Sequence, residues 1–335
     1  MAALLAVIAA IGVPQLVARP SVPPVTPPKA GLLDLRFSGY RSGDLRVGDP
    51  EWVSIENQLA SIGRELSPGV YRSVGRLALY PTGSVPHTFR MDGPRESGGA
   101  INGREAWFIE VLPHAVSTAD SLLTWQNSDS STGVLASYEN RLSRTEMMRL
   151  ASAFRVSPPR PARLPFAITW VPPTMRLAAI DVSRPRATTA VLLPGPDRIG
   201  FELDPAYEQP QFVSSWSRPV SDSMRLPGDL SFPRTTPGNA PVPGGGIVIG
   251  VQRSFMPGTG PTPKCATWAG QRNVRQCQAA PDATSNLVAR AGHDVPEADL
   301  QRVAAAGRIV GAVDNPGTWP TTQESFPTSA QVSRD

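Results

Sequence analysis

Proline recurs 37 times in 335 residues, about one position in nine against a usual share of ~5%. Each proline removes a backbone donor and fixes its own φ, so long helices and uninterrupted central strands are hard to build from such a chain. Short strands, tight turns and extended linkers are favoured instead. Apolar residues make up 40% and charged residues 18%. That is enough for a sizeable core, and the length suits two domains of ordinary size.

The opening stretch, "MAALLAVIAAIGVPQLVA" (residues 1–18), carries no charged side chain. Its length is marginal for a spanning helix and long for the core of an export signal. It reads as an N-terminal apolar helix, a transmembrane signal anchor. A cleaved signal peptide and a buried helix of a cytosolic protein are the competing readings. Pro14 is better tolerated in a membrane helix than in an isolated soluble one. Taken alone, Arg19 and Lys29 would keep the body of the chain in the cytoplasm by the positive-inside rule. The Pro-rich spacer at 19–30, "RPSVPPVTPPKA", points the other way, because such segments hold a domain off a surface in extended form. The expectation is a single-pass protein of the cell membrane with the bulk of the chain extracytoplasmic.

Cys265 and Cys277 are the only cysteines. An even count in an exported domain predicts a disulfide closing a surface loop, worth about 2–3 kcal/mol in the chain-entropy account. Two unrelated buried thiols are the alternative. No metal site is expected: there is no Cys-x-x-Cys, and the three histidines, His87, His114 and His293, lie far apart in sequence.

Along the chain, residues 31–204 read as a first α+β unit. Residues 205–245 read as a Pro/Gly-rich linker or insertion, 246–315 as the remainder of a second α+β unit, and 316–335 as a disordered tail too polar to bury itself. "DPEWVSIENQLASIGRELSPG" predicts the clearest helix. Asp49 would cap it, Trp52, Ile55, Leu59, Ile62 and Leu66 would share one face, and Pro68-Gly69 would stop it. Strands are expected within "VYRSVGRLALY", "HTFRM", "AWFIEVL", "SLLTWQ", "GVLASY", "PFAITWV", "MRLAAIDV", "TAVLLPG", "RIGFELD", "GIVIGVQRSF" and "SNLVARA". Asn102-Gly103 marks a tight hairpin.

"SRTEMMRLASAFRV" (143–156) and "PEADLQRVAAAGRI" (296–309) spell similar short helices. Sliding 132–156 onto 285–309 without a gap sets Met147 on Leu300, Leu150 on Val303 and Ala151 on Ala304. The first has a capping box, Ser143 with Glu146; the second has Asp294 as its candidate cap. The reading is an internal duplication into two units, each an antiparallel sheet packed by a short helix. Chance likeness between Ala/Arg-rich helices is the alternative.

"LLTWQNSDSSTGVLASYENRLSRTEMMRLASAFR" followed by "LPFAITWVPP" resembles the extracytoplasmic domain of membrane-anchored anti-sigma-factor-like proteins of Gram-positive bacteria. The resemblance covers about residues 100–175. It implies a domain that senses or docks rather than catalyses. It speaks for the outer domain alone, since no sigma-binding segment is read ahead of the apolar stretch.

The sequence offers little that points to catalysis. No G-x-S-x-G elbow is present. "PGGGIVIG" (243–250) has its glycines before a strand, where a phosphate loop needs them after one. Glu105/Glu110 and Asp120/Asp129 lack a spacing that specifies glycosidase work. Trp52, Trp107, Trp125, Trp170 and Trp216 mostly fall inside strand patterns. The net charge of +4 is scattered, so no nucleic-acid partner is expected. The expected function is therefore a membrane-anchored extracytoplasmic sensory or protein-docking module. It would have no catalytic activity and no cofactor, and would take an envelope or membrane protein as partner. A carrier of an apolar ligand in a concave sheet, and a surface hydrolase with a dispersed active site, are the alternatives.

Overall fold

A computed structural model describes residues 33–54, 57–68, 70–82, 93–111, 119–181, 189–194, 247–253, 262–267, 274–279, 285–312 and 315–330. The apolar opening, the spacer, the 205–245 segment and the strands expected at 87–91 and 198–204 lie outside these residues. No helix among the described residues is long and apolar enough to cross a membrane.

The first half of the chain forms β1 (Asp34–Leu35), β2 (Tyr40–Ser42), β3 (Leu45–Val47), β4 (Trp52–Ser54), β5 (Gln58–Ser67), β6 (Val70–Tyr80), β7 (Arg95–Ile101), β8 (Arg104–Glu110), β9 (Ala119–Gln126), β10 (Thr132–Tyr138) and α1 (Arg144–Ala153). The second half forms β11 (Arg160–Pro161), β12 (Phe166–Ile168), β13 (Met175–Asp181), β14 (Thr189–Pro194), β15 (Ile247–Arg253), β16 (Lys264–Thr267), β17 (Val274–Ala279), β18 (Ser285–Gly292), α2 (Glu297–Ala305) and β19 (Gly307–Ile309). The architecture is α+β and dominated by antiparallel strands.

Most strands belong to one 15-stranded sheet rather than to two. Its path runs β16-β17-β18-β15-β14-β13-β4-β5-β6-β10-β9-β8-β7, with the β2–β3 hairpin added beside β5. From its middle outward, the path repeats itself. On one side come β4, the β5–β6 pair, and then β10, β9 and β8. On the other come β13, the β14–β15 pair, and then β18, β17 and β16. In both halves the last strand before the helix returns to lie beside the second strand of the pair. In strand order β13 and β14, read from the sequence as part of the first unit, lie on the β18 side of β4.

The cross-strand register lines the halves up residue by residue. In the first half one row reads Ala60, Leu77, Leu135, Leu123, Phe108. In the second it reads Ala190, Ile249, Ala289, Cys277, Cys265. Leu135 thus matches Ala289, 154 positions on, whereas Leu150 matches Val303, 153 positions on. The gap-free slide is right for the helices and one residue off for the strands. Five residues (139–143) separate β10 from α1, but only four (293–296) separate β18 from α2. A one-residue slip would turn every strand side chain to the opposite face, so the shorter turn is part of the design.

Each helix buries matching residues on its half of the same sheet. Met147, Leu150 and Ala151 of α1 pack with Leu77, Leu123 and Leu135. Leu300, Val303 and Ala304 of α2 pack with Ile249, Cys277 and Ala289. The α1 capping box forms: Glu146 N donates to Ser143 Oγ at 3.3 Å, and Ser143 N donates to Glu146 Oε2 at 2.8 Å. Phe154, just past α1, meets the rings of Phe37 and Trp125 edge-on at 5.4 and 5.8 Å. Gly133 makes room for that indole, since a Cβ there would lie 2.3 Å from the Trp125 ring. Asn102 and Gly103, at φ 50° and 79°, turn β7 into β8 as the Asn-Gly pair predicts. For α2 the cap is Pro296, with no side-chain capping bond, rather than Asp294.

The helix expected at 49–69 is two strands, β4 and β5. Its apolar spacing is ambiguous because β5 begins with Gln58, Leu59 and Ala60 all buried, which hides the alternation of a strand. Both sides of β5 are paired, to β4 and β3 on one and β6 on the other. That nonlocal hydrogen bonding outweighs local helix propensity. Asp49 accepts a bond from Gly39 N at 3.0 Å, and β5 ends at Ser67, just before Pro68.

Residues 315–330 are ordered, contrary to the expectation of a disordered tail. They form a 3₁₀ turn (Pro316–Thr318), α3 (Thr322–Ser325) and a second 3₁₀ turn (Thr328–Ala330). Trp319 is 2% exposed and its indole donates to Ala312 O at 2.9 Å. Phe326 meets Phe166 at 6.4 Å. Two apolar anchors hold an otherwise polar segment, which composition alone does not reveal. Trp319→Ala should cost about 3 kcal/mol of stability, read by chemical denaturation. A loss below about 0.5 kcal/mol would mean that the segment is not part of the core.

Candidate functional site

The residues singled out for chemistry are scattered, and most hold turns. Asp120 accepts from Asn140 N at 2.7 Å, supporting the Glu139–Asn140 turn, where both residues have positive φ. Asp129 accepts from Ser131 N at 3.1 Å and pairs with Arg36 at 3.2 Å. Glu105 and Glu110 are exposed on β8. His293 is exposed in the turn before α2, whereas His87 and His114 lie outside the described residues. Of "PGGGIVIG", residues 247–250 are β15. Among the described residues no group of three or more His, Cys, Asp or Glu side chains is placed to hold a metal ion. Trp52 and Trp125 are buried in the core and Trp107 is half-buried. Trp170 is half-buried under the Arg302 guanidinium, 4.1 Å from its ring centre. Trp216 lies outside the described residues.

Cys265 and Cys277 face each other on β16 and β17 and are disulfide-bonded. Cys277 is wholly buried under α2, while Cys265 is half-buried at the sheet's end.

Two features were not legible in the sequence. The first is a set of buried polar groups on the face of the sheet away from α1 and α2. Trp52 and Asp181, equivalent positions of the two halves, pair with each other where β4 meets β13. Arg76 and Arg290 sit to either side, each 5% exposed. They occupy the same cross-strand pair of each half, from opposite strands: Arg76 faces Ala136, and Arg290 faces Val248. Arg290 Nε donates to Gln276 Oε1 at 2.7 Å. Burial pushes the Arg290 guanidinium down to about 8, yet arginine stays cationic at neutral pH. Burial likewise pushes the Tyr138 phenol up, against the pull of Arg76. Around these groups lie Leu59, Tyr80, Leu122 and Val134, a buried apolar cluster drawn almost wholly from strands.

The second feature is exposed. Near the turns of the β5–β6 and β2–β3 hairpins, the guanidinium groups of Arg41 and Arg46 lie 5.6 and 5.5 Å from the Tyr71 ring centre. Arg41 also pairs with Glu65 at 2.9 Å. Leu66, on the same hairpin, is 51% exposed. Nearby, Arg64 joins the sheet to α1 by binding Asp44 at 2.7 Å and Glu146 at 2.8 Å.

Compared with known proteins, the chain matches no family model and no curated protein.

Partial burial works to raise the Glu146 carboxyl, but the bonds from Ser143 and the Arg64 guanidinium outweigh it and leave its pKa lowered. A carboxylate with a depressed folded-state pKa stabilises the fold above its unfolded pKa, and loses that contribution as pH falls through the folded value. Glu146→Gln keeps the capping geometry and removes the charge. It should cost about 0.5–1 kcal/mol at pH 7, a difference that shrinks towards zero in acid. Urea titrations at several pH values check this; a pH-independent difference would contradict it.

Proposed function

We propose that the chain is a membrane-anchored, extracytoplasmic docking or sensory module without catalytic activity. The observation that carries the location is the Cys265–Cys277 disulfide, because such bonds persist in oxidising compartments and are rare where thiols are kept reduced. The apolar opening read from the sequence supplies the anchor. The resemblance of residues 100–175 to anti-sigma-factor-like outer domains supports the sensory role. The docking surface in this reading is the Arg41–Arg46–Tyr71–Leu66 end of the first half, since tyrosine and arginine are enriched among the residues that dominate protein interfaces.

We also infer that the two halves descend from one duplicated strand-and-helix unit. The repeated strand order and the matched helix faces support this.

A second reading, a carrier of an apolar ligand, draws on the apolar cluster of the helix-free face. Saturable binding of a fluorescent fatty acid, lost on Leu122→Asp, would favour it over docking.

Protease added outside intact cells should degrade the body of the chain, and alkylation in cells should find both sulfurs blocked. A protected chain with two free thiols sinks the location. Leu66→Ser with Tyr71→Ala should weaken capture of an envelope partner about tenfold or more without lowering the melting temperature. Unchanged capture rejects this surface.

A further inference from the structure

At one position of the shared row, the two halves use different chemistry. In the first half β8 is held to β9 by Phe108 against Leu123, with the Arg144 guanidinium 4.9 Å from the Phe108 ring centre and β7 paired on the far side. In the second half the same two places are Cys265 and Cys277. β16 has only four residues, and Lys264, Ala266 and Thr267 are exposed. Among the described residues β17 is its one strand partner. Among the described residues, the broad apolar contact and flanking strand of one half correspond in the other to a four-pair ladder and one covalent bond. Beneath it, β17 is anchored independently, by β18 and by the Arg275–Glu297 contact to α2 at 3.9 Å.

We propose that the Cys265–Cys277 bond is a redox latch: reducing it frees β16 and exposes the edge of β17, while the first half stays closed. A dithiol is the reductant. Its thiolate attacks Sγ of Cys265, the less buried of the two residues. The S–S bond breaks, Cys277 leaves as a thiolate and takes up a proton, and a mixed disulfide remains on Cys265. The second thiol of the dithiol then displaces Cys265, which is protonated in turn. The dithiol ends as a cyclic disulfide and the protein holds two thiols, a balanced two-electron exchange. The latch is a property of this hairpin and does not depend on the docking reading.

Hydrogen exchange on the full chain, with and without dithiothreitol, tests it, with alkylation confirming that the bond is open. Amides of 264–267 and the β16-facing amides of 274–279 should exchange about ten- to a hundredfold faster when reduced, while β8, β9 and β10 keep their rates. Cys265→Ala with Cys277→Ala should show the faster rates whether or not dithiol is present. Unchanged exchange in the reduced protein, or protection lost across both halves together, would overturn the proposal.

Discussion

The two halves of the main sheet meet where β4 pairs with β13, through Ser54/Ala179, Val53/Ile180 and Trp52/Asp181. Much of the architecture depends on that short seam. Because Trp52 and Asp181 are equivalent positions, the seam behaves like a two-fold axis: each half offers the same strand edge to the other. Antiparallel pairing is the arrangement that lets equivalent strands do this. It also covers two edges that would otherwise expose unpaired backbone groups.

Joined in this way, the halves place their helices on the same side. Val53 and Ile180 share a core with α2, and α1 packs over a second core of its own. Trp52 and Asp181 turn to the other side, where strand residues supply the apolar cluster. There the halves diverge. The first is mainly apolar, with Arg76 at its margin. The second carries Arg290, Asn286 and Gln276 on β18 and β17, and Asn286 and Arg290 are buried. Burying a guanidinium requires hydrogen-bonding partners, and Gln276 is one of them. The helix sides of the two halves are thus both apolar while the opposite sides differ in polarity. A fold that holds its scaffold constant and varies one face would be expected to behave so.

Local chemistry was legible wherever it was decided within a few residues. The Ser143–Glu146 box, the Asn102-Gly103 turn and the apolar stripes of α1 and α2 follow from spacing alone. The strand patterns of β6, β8, β9, β10, β15 and β18 were also readable, as was the pairing of two lone cysteines. Failures came where a distant partner decided. Trp52 to Leu66 carries a helical stripe, yet its backbone bonds go to strands on both sides. Residues 315–330 look too polar to order, yet Trp319 is buried and Phe326 joins a core formed by residues far back in the chain. The repeat was visible in the helices, but its strand register required the partner strands.

By itself the sequence determined an antiparallel, turn-rich α+β chain with two similar strand–helix phrases, because proline content, alternation and capping act over short distances. Only the tertiary structure decided that the two phrases share one continuous sheet, that β13 pairs with β4, and that Arg76 and Arg290 occupy matching cross-strand pairs on either side of that seam. Those outcomes depend on which strand edges meet, and edge pairing is settled by residues more than a hundred positions apart.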